Sequence, residues 1–185
     1  MKDFSEISSD HIFRLIYVIR NAANYRSLLK YKDEFSQKYW IFVFNNSFDM
    51  SILEWCKVFG TDSEPTHWKK LVEEHDHDNF REGLLKHINL TDPEWDRYWR
   101  EVKDYRNNLI THFRKDPKII RYPSLDNIIN STFYYYEWLV KKLEEYGIKQ
   151  EPEDLRGYYI KCLEQANLFS ETAYRSTENI QEDVF

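Results

Sequence analysis

Three features of the 185-residue chain predict an all-α fold, an antiparallel helical bundle of four long helices with short connecting helices and a C-terminal helix. Apolar residues recur at helical spacing almost throughout. Glycine and proline are scarce, four and five residues, about 5% of the chain against roughly 12% in average usage. A fold of many short strands and tight turns needs more of both. Aromatic residues reach 17%, enough to build a large core and too many for a disordered chain. At this length one well-buried domain is expected, spanning 1–176, with a frayed tail over 177–185.

Ile12, Leu15, Ile16 and Ile19 begin a first helix over about residues 8–31, with Ser8, Ser9 or Asp10 as caps. Trp40, Phe44, Phe48, Ile52 and Trp55 carry a second over about 34–59. Gly60 follows its last apolar residue, the usual place for a left-handed C-terminal stop. Residues 61–91 read as a connecting region with short helices near 67–72 and 80–88. Asp92-Pro93 reads as an N-cap with proline at the first helical position, opening a third long helix that ends near Lys115. Pro117 and Pro123 bracket a loop, and Ser124 caps a fourth helix to about residue 146. Gly147 and Pro152 break the chain before a last helix over about 153–175.

Two cysteines, Cys56 and Cys162, are too few for a disulfide scaffold. The start of the sequence has no basic segment followed by an apolar run, so no signal peptide is expected. The longest strongly apolar stretch, Tyr39 to Phe44, is far short of a membrane span. The expected compartment is the cytoplasm, with no membrane partner.

The net charge of −6 argues against non-specific coating of nucleic acid. Residues 97–121 nevertheless hold eight bases and three acids, while the stretch from Glu144 onward holds ten acids and four bases. The basic stretch reads either as a local anion site or as a solvated helix face.

The helix from Asp92 is the informative one. At about 100° per residue, Trp95, Val102, Leu109 and Phe113 share one face, flanked by Tyr98, Trp99 and Tyr105. Most charged residues fall opposite. Arg106 and His112 break this separation, lying in the apolar half or at its border. A permanently charged guanidinium there is costly unless something pairs with it. A functional anion site and a bridge to a buried carboxylate both satisfy that need.

The segment Tyr105-Arg106-Asn107-Asn108-Leu109-Ile110-Thr111-His112 resembles the R-N-x(4)-H form of the R-x(4–6)-H motif of HEPN domains. Leu53-Glu54-Trp55-Cys56-Lys57-Val58-Phe59-Gly60, followed by His67-Trp68-Lys69-Lys70-Leu71, is similar to the abortive-infection branch of that superfamily. The resemblance covers about residues 40–113. It implies a dimerising helical bundle with the motif as a metal-independent ribonuclease site, in antiphage defence or a toxin–antitoxin system. Arg106, His112 and Asn107 are then the candidate catalytic residues. RNA is the implied substrate, a homodimer the implied assembly, and an antitoxin or other operon partner a further candidate. No cofactor and no metal are called for. Some toxins of this superfamily carry H-x-Y, whose Tyr accepts a nucleotidyl group from the partner. Here His112-Phe113-Arg114 lacks that Tyr. The alternative is a non-catalytic helical module that binds a partner such as a nucleotidyltransferase antitoxin. A third reading is a nucleotide-binding bundle without turnover.

A second match to the spacing exists at Arg81 and His87. Its helix is short, contains Gly83 at a cost of about 1 kcal/mol, and carries Glu82, whose charge repels phosphate, in place of the Asn.

The residue types suit RNA cleavage. RNA supplies its own nucleophile, the 2′-OH beside the scissile phosphate, so attack is intramolecular. His titrates near neutrality and can remove or deliver a proton, and Arg offers forked donors to phosphate oxygens. One His cannot be base and acid at once, whereas two motif copies across a dimer interface can. On the wheel Asn107 points outward, and Arg106 and His112 stand about 120° apart.

Glu73-Glu74-His75-Asp76-His77-Asp78 is rich in metal-ligand types but has no Cys pair or HExxH spacing. It reads equally as an exposed acidic loop with Asp78 capping the next helix. Phe133-Tyr134-Tyr135-Tyr136 covers every side of a helix, which suits core plus surface better than base stacking. The aromatic excess also predicts an exposed apolar patch closed by dimerisation.

Overall fold

The computed structural model describes residues 4–111 and 122–183, and among these the regular structure is entirely helical. The α-helices are α1 (Phe4–Leu29), α2 (Lys38–Phe59), α3 (His77–Ile88), α4 (Asp92–Tyr105), α5 (Leu125–Glu145) and α6 (Leu155–Thr177). Two 3₁₀ turns, Trp68–Lys70 and Glu74–Asp76, lie between α2 and α3. A π-helical turn, Arg106–Thr111, continues α4.

Side-chain pairings fix the directions. Tyr25 stacks on Phe44, Ser51 donates to the Val18 carbonyl, and Arg14 pairs with Glu54. Residue numbers thus rise along α1 as they fall along α2, and these helices run antiparallel. The same reading makes α4 antiparallel to α2, through Asp49–Tyr105, Trp55–Tyr98 and Phe59–Trp95. Helix α5 runs antiparallel to α1, through Phe4–Tyr146 and His11–Tyr135. Helix α6 returns alongside α1, with Ser27 donating to the Ala166 carbonyl and Tyr31 packed on Tyr174.

The core is aromatic. Trp55, Phe59, Tyr135 and Tyr136 are fully buried among Leu15, Ile19, Ile52 and Ile128. Each large ring takes about 150–250 Å² out of water, worth about 4–6 kcal/mol at most. Polar handles are satisfied where they enter: Trp55 Nε1 donates to Ser131 Oγ at 2.8 Å, and Tyr136 Oη to the Pro152 carbonyl. The Phe133–Tyr136 run is mostly core, with Tyr134 half-buried and donating to the Phe80 carbonyl.

Several helix ends differ from the sequence expectation. Helix α1 is already formed at Phe4, so Ser8, Ser9 and Asp10 lie inside it rather than capping it. The N-cap of α4 is Thr91, not Asp92, and the Glu94 carboxylate accepts from Thr91 N at 2.8 Å and Oγ1 at 2.6 Å. Glu94 at the third helical position thus reaches back to satisfy the N-cap residue, as in a capping box. Ser124 holds the N-cap position of α5 without a side-chain cap bond, and its carbonyl accepts from Tyr98 Oη at 2.7 Å. Asp78 sits within the first turn of α3, whose N-cap is Asp76. Gly60 is not left-handed: its φ is −76°. A Cβ there would stand 2.1 Å from the Cys56 carbonyl oxygen, and that crowding is what favours glycine. Gly147, with φ +71°, is the left-handed residue that ends the turn after α5.

The stretch after Ser176, expected to fray, makes contacts with the start of α2 as far as Glu182. Glu182 accepts from the backbone N–H groups of Lys38 and Tyr39 at 2.8 and 2.7 Å, and Gln37 Nε2 donates to the Thr177 and Ile180 carbonyls. The tail thus supplies the carboxylate cap that the start of α2 lacks locally.

Among the described residues no helix is long and apolar enough to cross a membrane.

Candidate functional site

Three pieces of chain meet at the end of α4: the C-terminal half of α2, the loop 61–67, and the α4–π junction. Tyr105 is buried and donates from Oη to Asp49 Oδ1 at 2.7 Å, tying α4 to α2. Burial pushes the Asp49 carboxyl above its ordinary value, with the Tyr105 hydrogen bond opposing. Burial, and then the Asp49 carboxylate, push the Tyr105 phenol up in turn.

Arg106 follows at the first residue of the π turn, its side chain 17% exposed. Nε donates to Asn107 Oδ1 at 3.0 Å, and Nη1 stands 3.9 Å from Glu64 Oε1. The guanidinium also reaches the buried Cys56 thiol of α2. Burial pushes that thiol up to about 12, while Arg106 works in the opposite direction. Burial thus favours the neutral thiol of Cys56 beside the guanidinium. One turn back, Lys103 Nζ lies 3.8 Å from the ring centre of Trp99. Trp99, Lys103 and Arg106 thus share one helical face at i, i+4 and i+7.

The π turn corrects the helical wheel. The third long helix was expected to run unbroken to Lys115, but α geometry stops at Tyr105. In a π turn each N–H reaches back five residues, so the advance per residue is less than in an α-helix. Angles carried from Arg106 to Thr111 at 100° per residue no longer hold. Asn107, placed outward by the wheel, is half-buried and accepts from Arg106. The structure thus brings Arg106 and Asn107 together. His112 lies outside the described residues.

The second spacing match is absorbed by structure. Arg81 bridges Asp92 Oδ1 at 2.7 Å and Asp96 Oδ1 at 2.8 Å, joining α3 to α4. His87 packs on Tyr134 and takes a contact from Arg156 at 2.6 Å. In the acidic run, His75 is exposed beside Glu73 and His77 Nε2 lies 3.0 Å from the Val72 carbonyl. Among the described residues no group of three or more His, Cys, Asp or Glu is placed to hold a metal ion.

Asp49, Glu64 and Cys56 were not singled out as parts of a site from sequence. Asp49 carried a signal, an acid between Phe48 and Met50 on the apolar run of α2. Glu64 sits in a loop and carried none.

No protein-family model, curated protein sequence or solved structure matches this chain.

Proposed function

We propose that the chain is a metal-independent endoribonuclease of the HEPN type, acting as a homodimer in antiphage defence or a toxin–antitoxin system. The observation that carries this reading is Arg106: a largely buried guanidinium, oriented by its neighbour Asn107, inside the R-N-x(4)-H motif. A π turn beginning at the motif's Arg adds support, since such turns recur at functional sites.

In the proposed reaction the 2′-oxygen attacks phosphorus, the 5′-oxygen leaves, and the product ends in a 2′,3′-cyclic phosphate. His112 of one protomer removes the 2′ proton and the same residue of the second protonates the leaving oxygen. Arg106 stabilises the charge that builds on the phosphoryl oxygens. Exposed apolar residues, among them Phe13, Tyr17, Phe42 and Met50 on α1 and α2, provide a surface for pairing.

The same surface favours the second reading, a non-catalytic module that binds a partner protein. RNA cleavage in EDTA, with DNA as the uncut control, separates the two. Cyclic phosphate ends from RNA alone are expected of the nuclease, and untouched RNA of the module.

A further inference from the structure

We propose that the cavity walled by Trp68, Trp95 and Trp99 is a nucleobase subsite, with guanine as the base it fits best. This rests on the RNA-cleaving reading above and names where one base of the substrate sits.

The cavity, about 230 Å³, opens between the end of α2, the first 3₁₀ turn, α3 and α4. Its aromatic walls are held rigidly. Trp99 Nε1 donates to the Phe59 carbonyl at 2.6 Å and the Gly60 carbonyl at 3.2 Å, and Lys103 covers the ring at 3.8 Å. Trp68 stacks on Phe80 with centroids 4.6 Å apart, and Trp95 packs edge-on to Trp55 and Phe59. Trp68 and Trp95 are buried and shape the floor, while the half-buried Trp99 offers the fixed aromatic surface on which an unpaired base stacks.

The rim is polar and of mixed sign. Asp62 pairs with Lys69 at 2.8 Å, and Asp96 with Arg81 at 2.8 Å. All four side chains are at least partly exposed at the mouth of the cavity. Each carboxylate has acceptor capacity beyond its one cation. Guanine is the base with two donor groups as well as two acceptors, so that N1–H and the 2-amino group can meet both carboxylates while N7 and O6 accept from the cations. Uracil, with two carbonyls and one N–H, leaves a carboxylate facing an oxygen.

The position of the cavity relative to Arg106 gives the second argument. The loop 61–67 separates them, with Asp62 and His67 lining the cavity and Glu64 beside Arg106. Helix α4 links them through Trp99, Lys103 and Arg106, about 10 Å along the axis from first to last. A base seated against Trp99 thus directs its own chain along Lys103 toward Arg106.

The test uses short 2′-O-methyl oligonucleotides, which have no free 2′-OH and cannot be cut, read by fluorescence anisotropy on the full chain. One guanine placed in an oligouridine should tighten binding at least about tenfold. Trp99→Leu, checked for folding by circular dichroism, should abolish that gain. The double variant Asp62→Asn/Asp96→Asn should lose the preference for guanine while keeping oligouridine binding, and it serves if Trp99→Leu fails to fold. No gain from guanine, or a gain that survives in both variants, overturns the subsite. Wild-type protein that leaves RNA uncut yet shows the guanine gain overturns the nuclease reading alone. Cleavage without any such gain overturns the subsite alone.

Discussion

Glu64 Oε1 stands 3.9 Å from Arg106 Nη1, the guanidinium that the proposed reaction assigns to the phosphate. The pair is loose and partly solvated, so it adds little stability. A phosphate must nonetheless displace or share with a like-charged carboxylate. Glu64→Gln is therefore expected to tighten RNA binding several-fold and to change stability by less than about 1 kcal/mol. Filter binding and urea titration check both. Weaker binding by the folded variant would show that Glu64 helps the ligand rather than competing with it.

His112 is the proposed proton carrier. His112→Ala should lower cleavage by about 10²–10⁴-fold and leave the dimer intact by light scattering. His87→Ala, from the second spacing match, is the control and should cut RNA normally. If His87→Ala abolishes cleavage and His112→Ala does not, the site assignment fails.

The bundle was legible because periodicity, capping residues and scarce glycine all point the same way. What was not legible followed from local geometry that a regular wheel cannot carry. Asn107, outward on a regular wheel, is half-buried beside Arg106, and no residue type announces the π turn that begins there. Gly60 ends α2 as its position suggests, but its glycine answers to the Cys56 carbonyl and not to a left-handed φ, a steric matter visible only in three dimensions. Glu64 reached the site through the path of a loop. Asp49 was in plain view as an acid in an apolar run, and its meaning waited on the Tyr105 partner.

The tail gives a stability prediction. Glu182 caps the N-terminus of α2 from a distant part of the sequence. Loss of a side-chain cap typically costs about 0.5–2 kcal/mol. Glu182→Ala should fall in that range by urea unfolding and should speed amide exchange at Lys38 and Tyr39. Unchanged protection at both amides would mean the tail contributes nothing there.

Acid should destabilise the fold through two buried imidazoles. Burial lowers both His11 and His67 from 6.5 to about 4. For His11, Asp10 opposes the shift and His67 adds to it. For His67, Asp62 opposes, and Lys69, Lys70 and His77 add to it. Both rings are neutral in the folded chain at pH 7, and the unfolded chain binds their protons first. Their contribution is whole above about pH 6.5 and is lost as pH falls from there toward 4. Urea midpoints should drop between pH 7 and pH 5, and His67→Gln should show a shallower decline. A flat profile for the wild type over that window would contradict the burial of neutral imidazoles.

Arg106→Ala tests the central claim most directly, assayed on RNA in EDTA beside the wild type at equal protein concentration. A folded variant that has lost about 10²–10³-fold of the cleavage rate, against a wild type yielding 2′,3′-cyclic phosphate ends, is the expected result. Wild-type rates in the folded Arg106→Ala variant, or no cleavage by a folded wild type, would contradict it.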